Sequence, residues 1–224
     1  NGYIHLGGNI RNIYILLLLS LSFGTVTDID GNVYETVLIG DQLWMADNLK
    51  VTHYNDGSDI QYVQSESSEP DVWENLSTGA YGYYNDDQDH LDTYGNLYNW
   101  YAVDDDRGVC PEGWHVPSDD EFTVLTDYLG GTSVAGGKMK EAGYEHWNSP
   151  NTGATNESGF TGLPAGYRHS NDGSFFGMGD RDYFLSSSEY SSNSFWGRRL
   201  NYDVSSLSRS SYDRQGGYSI RCLT

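Results

Sequence analysis

Residues 110–131 read CPEGWHVPSDDEFTVLTDYLGG, and this stretch decides the fold class. Ser118 is a good N-cap, and Glu121 three positions on completes a capping box. Asp119, Asp120 and Glu121 place negative charge at the positive end of the helix dipole. Phe122, Leu125 and Leu129 share one face at i, i+3 and i+7, and Gly130-Gly131 stops the run. The spacing predicts one main helix over residues 118–129, from Ser118 to Leu129.

Outward from that helix the signals are those of strands. Residues 25–48 hold two hairpin signals, Asp30-Gly31 and Gly40-Asp41, between short runs of Val, Ile, Thr, Tyr and Trp. Asp28, Asp30 and Asn32 suggest calcium, but the glycine position and final Glu of an EF-hand loop are missing, so a turn is the better reading. A shorter second helix is predicted over residues 136–142. GFTGLPAGYR (159–168), GSFFGMG (173–179), DYFLSSSEY (182–190), FWGRRLNYDV (195–204) and GYSIRCL (217–223) read as short strands between glycine turns. One or two helices among eight to ten short strands make an α+β domain with long loops over residues 25–224.

Composition narrows the function. Lys+Arg 12 against Asp+Glu 32 leaves a net charge of −20, which excludes general affinity for nucleic acid or anionic lipid. Aromatic residues make up 14% of the chain, too much apolar surface for disorder. Two cysteines rule out a disulfide-knitted miniprotein and a four-thiolate zinc site, leaving at most one bridge. The six histidines are scattered, with no i, i+4 pair, and neither a GxSxG elbow nor a phosphate-cradling loop occurs. Residues 13–23, IYILLLLSLSF, have the length of a signal-peptide core and are too short to span a bilayer. Two readings of residues 1–24 stand: an export leader, or a segment retained and buried. No membrane span follows it.

Residues 81–103 place an acidic loop between aromatic segments. Asp86, Asp87, Asp89 and Asp92 offer the hard oxygen ligands of a calcium site, the one cofactor the sequence suggests; the other reading is a solvated acidic loop.

Several motifs then occur in fixed order: GTVTDIDG (24–31), YGNLYNWYAV (94–103), CPEGWHVPSDDEF (110–122), GGKMKEAGYEHWNSPNTGATNESGF (136–160), LPAGYR (163–168), SSSE (186–189) and GYSIRC (217–222). Together they resemble the Fibrobacter succinogenes major paralogous domain family over roughly residues 25–224. The resemblance implies a C-type-lectin-like fold, with an antiparallel sheet, a flanking helix, long loops and termini that come together. Under that fold Cys110 lies beside Cys222, and an exported chain would join them; the alternative is two buried free thiols. Formylglycine-generating enzymes of the same fold group end in a similar Gly-aromatic-x-Arg-Cys strand, but their RGGxW-type segment is missing here.

The C-terminal segment carries the functional expectation. Residues 181–224 hold six Arg against Asp182, Glu189, Asp203 and Asp213, a net of +2, so the preceding residues carry −22. Within residues 186–215, eleven of thirty are Ser, and most others are Tyr, Asn, Asp, Arg or Gly. That is the vocabulary of paratopes: rigid aromatic anchors among adaptable polar groups. Alternation puts Leu200, Tyr202 and Val204 on one strand face and Arg199, Asn201 and Asp203 on the other. Proteins of the resembled group include targets of diversity-generating retroelements, which rewrite adenines in Asn codons to give Ser, Tyr, Asp, Gly, His or Arg. Tyr190, Ser191, Asn193, Ser194, Gly197 and Arg199 fit that set. So do Asn201, Asp203, Ser205, Ser208, Ser210, Ser211, Tyr212 and Asp213. With Trp196 and Tyr202 these form the candidate ligand-binding face, in a variable region of about residues 186–217. Tyr190, Trp196, Arg199, Tyr202 and Tyr212 are the candidate anchors. The expected protein is an exported, non-catalytic binder of a protein or glycan; the other reading is a self-associating surface protein.

Overall fold

The structure is a computed structural model describing residues 22–65 and 73–224, with side chains from Gly24 onward. All but the end of the apolar run at 13–23, and with it the leader reading of residues 1–24, lies outside the described residues.

The two Gly-Asp turn signals produce a meander. Strands β1 (Ser22–Thr27), β2 (Val33–Ile39) and β3 (Gln42–Met45) pair antiparallel in that order. Asp28 builds the first turn, its Oδ1 accepting from the backbone N–H of Asp30 at 3.0 Å and of Asn32 at 2.9 Å. Those bonds occupy the carboxylate as a turn residue. A second small sheet joins β4 (Gln61–Tyr62), β5 (Ala80–Gly82) and β6 (Leu97–Tyr98).

The third sheet positions the site. It contains β7 (Ala165–Arg168), β8 (Phe175–Met178), β9 (Arg181–Ser191), β10 (Ser194–Asn201) and β11 (Ser208–Asp213), in the order β11-β10-β9-β7-β8. Only the β7–β9 pairing is parallel within it. β11 is an edge strand.

Among the described residues four α-helices accompany the sheets: α1 (Gln88–Tyr94), α2 (Trp100–Val103), α3 (Asp119–Tyr128) and α4 (Thr132–Met139). The architecture is α+β. Helix α3 carries the full capping box, Ser118 Oγ accepting from Glu121 N while the Glu121 carboxylate accepts from Ser118 N. Helix α4 starts four residues before the expected 136–142. Its glycines are dictated by packing rather than by turns: a Cβ on Gly136 would lie 2.4 Å from Ser206 O, and one on Gly137 2.4 Å from Gly153 O. The acidic loop expected within 81–103 is largely helix α1, whose N-cap Asp87 accepts from Asp89 N. Capping, a local signal, outweighed the loop-like composition.

The middle of the central sheet is packed on both faces. Phe184 and Leu200 face α3 and α4 in a cluster with Trp44, Phe122, Trp147 and Phe160. Tyr183, Leu185 and Phe195 face the opposite cluster, with Trp100, Tyr218 and Ile220.

Residues 217–223, expected as a strand, instead make isolated bridges to several elements. Gly217 pairs with Arg168, Tyr218 with Tyr98, Ser219 with Phe184, and Leu223 with both Trp44 and His115. The segment threads between the three sheets, so no single neighbour runs alongside it. Arg221 is buried within it, donating to Asn48 Oδ1 at 2.6 Å and to the carbonyls of Phe160 and Thr161. Cys110 and Cys222 are joined by a disulfide with Cα atoms 5.9 Å apart. No described helix is long and apolar enough to cross a membrane.

Candidate functional site

The β9–β10 hairpin and the adjoining edge strand carry an exposed array of rings and charge. Two register shifts in the β9–β10 ladder, around Ser194 and Phe195, re-aim the side chains at the tip. Trp196 points to the helix side, where Tyr190 meets its ring edge-on at 4.6 Å between centroids. Trp196 is opposite Ser211 on β11, and the Arg209 guanidinium lies 3.5 Å from the Trp196 ring centre. That contact is a cation–π stack, strongest on indole. Arg209 is fixed from the other side by Asp119, the first residue of α3, through Nη2 at 2.7 Å and Nε at 2.9 Å. Asp119 also takes 2.7 Å from Nη1 of the buried Arg198. Burial pushes the Asp119 carboxyl up, but the Arg209 and Arg198 guanidinium groups outweigh it and hold it below the usual value. The row Tyr190–Trp196–Arg209–Asp119 therefore ends on a helix start and a buried arginine. Its outer members stay open: Tyr190 is 55% exposed and the Arg209 side chain 42%. A pre-positioned, half-exposed aromatic and guanidinium group suits contact with a partner.

The sixteen candidate residues do not share one face. Tyr190, Ser191, Asn193, Ser194, Trp196 and Asp213 gather at the hairpin tip, with Ser211 beside them on β11. Asn201, Tyr202, Asp203, Ser205 and Ser208 lie at the far end of β10, roughly 20 Å away at the rise of a strand. Ser210 is exposed midway, opposite Gly197, which has no side chain because a Cβ there would lie 2.8 Å from the Tyr212 ring. Tyr212 is half-buried, its ring against Tyr183, Phe195 and Tyr218 at 5.3, 6.1 and 5.6 Å. Arg199 is half-buried over Tyr183, on the face opposite Trp196. Strand β10 ends at Asn201, so the expected alternation past it gives way to a turn at Tyr202-Asp203.

Arg209 is the residue that sequence reasoning missed, together with its anchor Asp119. Asp119 was marked only as a helix-start acid and Arg209 by nothing local; Asp119 meets Arg198 and Arg209 across 79 and 90 residues of sequence.

The candidate calcium ligands have protein roles. Asp86 accepts from Tyr62 and Ser65, Asp87 caps α1, and Asp92 accepts from Gln88. Among the described residues, the carboxylates that converge with a third ligand are elsewhere, in Glu141, Glu145 and His146, where His146 Nδ1 lies 2.9 Å from both Glu141 oxygens as an ion pair. His115 bonds Glu121 through Nε2 at 2.8 Å at the start of α3, a structural contact.

These features define a disulfide-stapled α+β domain that displays a hairpin surface on a sheet whose middle is packed on both faces. Residues 37–224 match the Fibrobacter succinogenes major domain, and the chain belongs to that family. No curated protein and no solved structure matches it.

Proposed function

We propose that this protein is an exported, non-catalytic binding domain of C-type-lectin-like architecture, and that the hairpin tip of β9–β10 with β11 contacts the ligand. The Tyr190–Trp196–Arg209 array carries the reading: rigid rings and a guanidinium group, locked from below, with serines around them that tolerate exchange. Three further observations support it. The Cys110–Cys222 bridge fits an oxidising compartment and leaves no free thiol for an oxidase-like reaction. The N-proximal meander and the tail meet, Leu43 N donating to Thr224 O and Thr224 N to Leu43 O, as the lectin-like arrangement requires. Ser191, Asn193, Ser210, Ser211 and Asp213 are exposed, so retroelement-type replacement there leaves the frame untouched.

A glycan and protein array probed with the full chain tests this. Trp196→Ala and Arg209→Ala are expected to abolish the signal with small shifts in melting temperature. Tyr212→Ala is expected to cost about 3 kcal/mol of stability, because its ring belongs to the packed frame. Loss of stability in Trp196→Ala without loss of binding overturns the assignment. A self-associating protein is the second reading, favoured by the unpaired outer edge of β11. It predicts a dimer mass in solution and no array signal.

A further inference from the structure

Eight arginines are described, and their partners sort them sharply. Arg107, Arg198, Arg209 and Arg214 each pair with a carboxylate. Arg168 and Arg221 are fully buried and donate to backbone carbonyls. Arg181 and Arg199 do neither. In a chain of charge −20 the two guanidinium groups without a carboxylate lie on the same face of the same sheet.

That face is the side of the central sheet away from α3. Register places Arg199 opposite Tyr183, and Arg181 opposite Asn201, one step along. Across the neighbouring strands the rings continue: Tyr183 to Tyr167 at 4.9 Å, and Tyr167 to Phe176 at 5.9 Å. Arg199 lies 5.9 Å from the centre of the Tyr183 ring. Phe176 is 47% exposed, and Tyr167, Arg181, Arg199 and Asn201 are all half-buried, so this end of the face reaches solvent. Of the two acids that flank Arg181, Asp182 is buried on the opposite face of the sheet, and Asp180 accepts from the Asn148 amide at 3.0 Å and acts on Arg181 only through space, without an ion-pair contact. Three buried polar atoms that lack a partner among the described residues belong here: Arg181 Nε, Arg199 Nε and Asn201 Oδ1.

We propose that this face is a second binding site, separate from the hairpin tip, and that it takes an acidic saccharide of the uronate type. The two forked donors suit a carboxylate, which they bind with directed, charge-assisted hydrogen bonds. Phe176 and the half-buried Tyr167 offer apolar ring surface for the C–H face of a sugar, with the buried Tyr183 ring beneath Arg199 as their support, and the Asn201 amide matches its hydroxyls. An acidic peptide fits less well. Extended peptides bind by adding to an unpaired strand edge, whereas β7, β9 and β10 are interior strands already bonded on both sides.

The test is calorimetric titration of the full chain at low salt with a short oligogalacturonate, the matching neutral oligogalactose, and an oligoglutamate peptide. Arg181→Gln and Arg199→Gln are each expected to weaken oligogalacturonate binding about tenfold or more, the worth of one charge-assisted bond. Arg199→Lys should recover only part, since a point charge replaces a fork. Trp196→Ala should leave this binding intact, which separates this site from the hairpin surface. Absence of oligogalacturonate binding by the unaltered protein overturns the proposal. So does equal binding of the neutral sugar, preference for oligoglutamate, or an unchanged constant in the double Gln variant with an unchanged melting temperature.

Discussion

Asp182 shows how much a single side chain can set. It is fully buried beneath the central sheet; its Oδ1 accepts from Ser219 Oγ at 2.8 Å and from Tyr183 N at 2.9 Å, while Oδ2 has no partner. Burial pushes its carboxyl up to about 7, opposed only in part by Ser219, by Arg221 and by the Tyr183 amide. The folded protein therefore holds a proton that the unfolded chain releases near the ordinary carboxylate value. This contribution to stability is complete below the unfolded pKa and is lost as pH rises through about 7, up to roughly 4 kcal/mol across the window. Urea unfolding of Asp182→Asn between pH 4 and 8 should show that slope flattened relative to the unaltered protein. Paired carboxylates such as Asp119 tilt the other way in both proteins, so the difference between the two curves isolates Asp182. The sequence gives no hint of this residue: within DYFLSSSEY it looks like any turn aspartate, and only the pairing of β9 with β7 and β10 seals it in.

Elements differ in how far they announce themselves. Helix α3 was legible to the residue, because a capping box, an acidic first turn and a glycine stop are all local. Strand β11, SRSSYD, was not: serine has little strand preference, and this segment is extended because β10 lies beside it. The tip residues Tyr190, Ser191 and Asn193 stood out by composition alone, and the structure adds that they are exposed. Arg209 escaped because its role exists only once Trp196 and Asp119 flank it. Lys140, at the end of α4, is a further case. Its Nζ donates to the carbonyls of Thr152, Asn201 and Val204 at 3.1, 2.9 and 3.0 Å, which ties the β10–β11 turn to the helix. Burial pushes the ammonium down to about 8, with Asp203 opposing. Lys140→Met keeps the reach and removes the donors, so it should cost about 2–4 kcal/mol and raise amide exchange selectively at Asn201–Val204. Protection unchanged there would mean that the turn is held by other contacts.

At the scale of the whole molecule, the disulfide spans 112 residues and encloses α3, α4 and all five strands of the central sheet. In the chain-entropy account, removing it frees the unfolded chain by about 4–5 kcal/mol, and the Cys110→Ala/Cys222→Ala double variant should lose that amount in urea unfolding at constant m. A change in m instead would show that the bridge alters the compactness of the unfolded ensemble. The bridged tail also dictates when the structure can be completed. A nascent chain that has emerged only as far as Asp213 already possesses the eleven described strands, yet Gly217 to Leu223, the residues that lock the three sheets to one another, have still to follow. Assembly must wait for these residues, so a chain cut short before Gly217 should be a protease-sensitive fragment instead of a smaller working molecule.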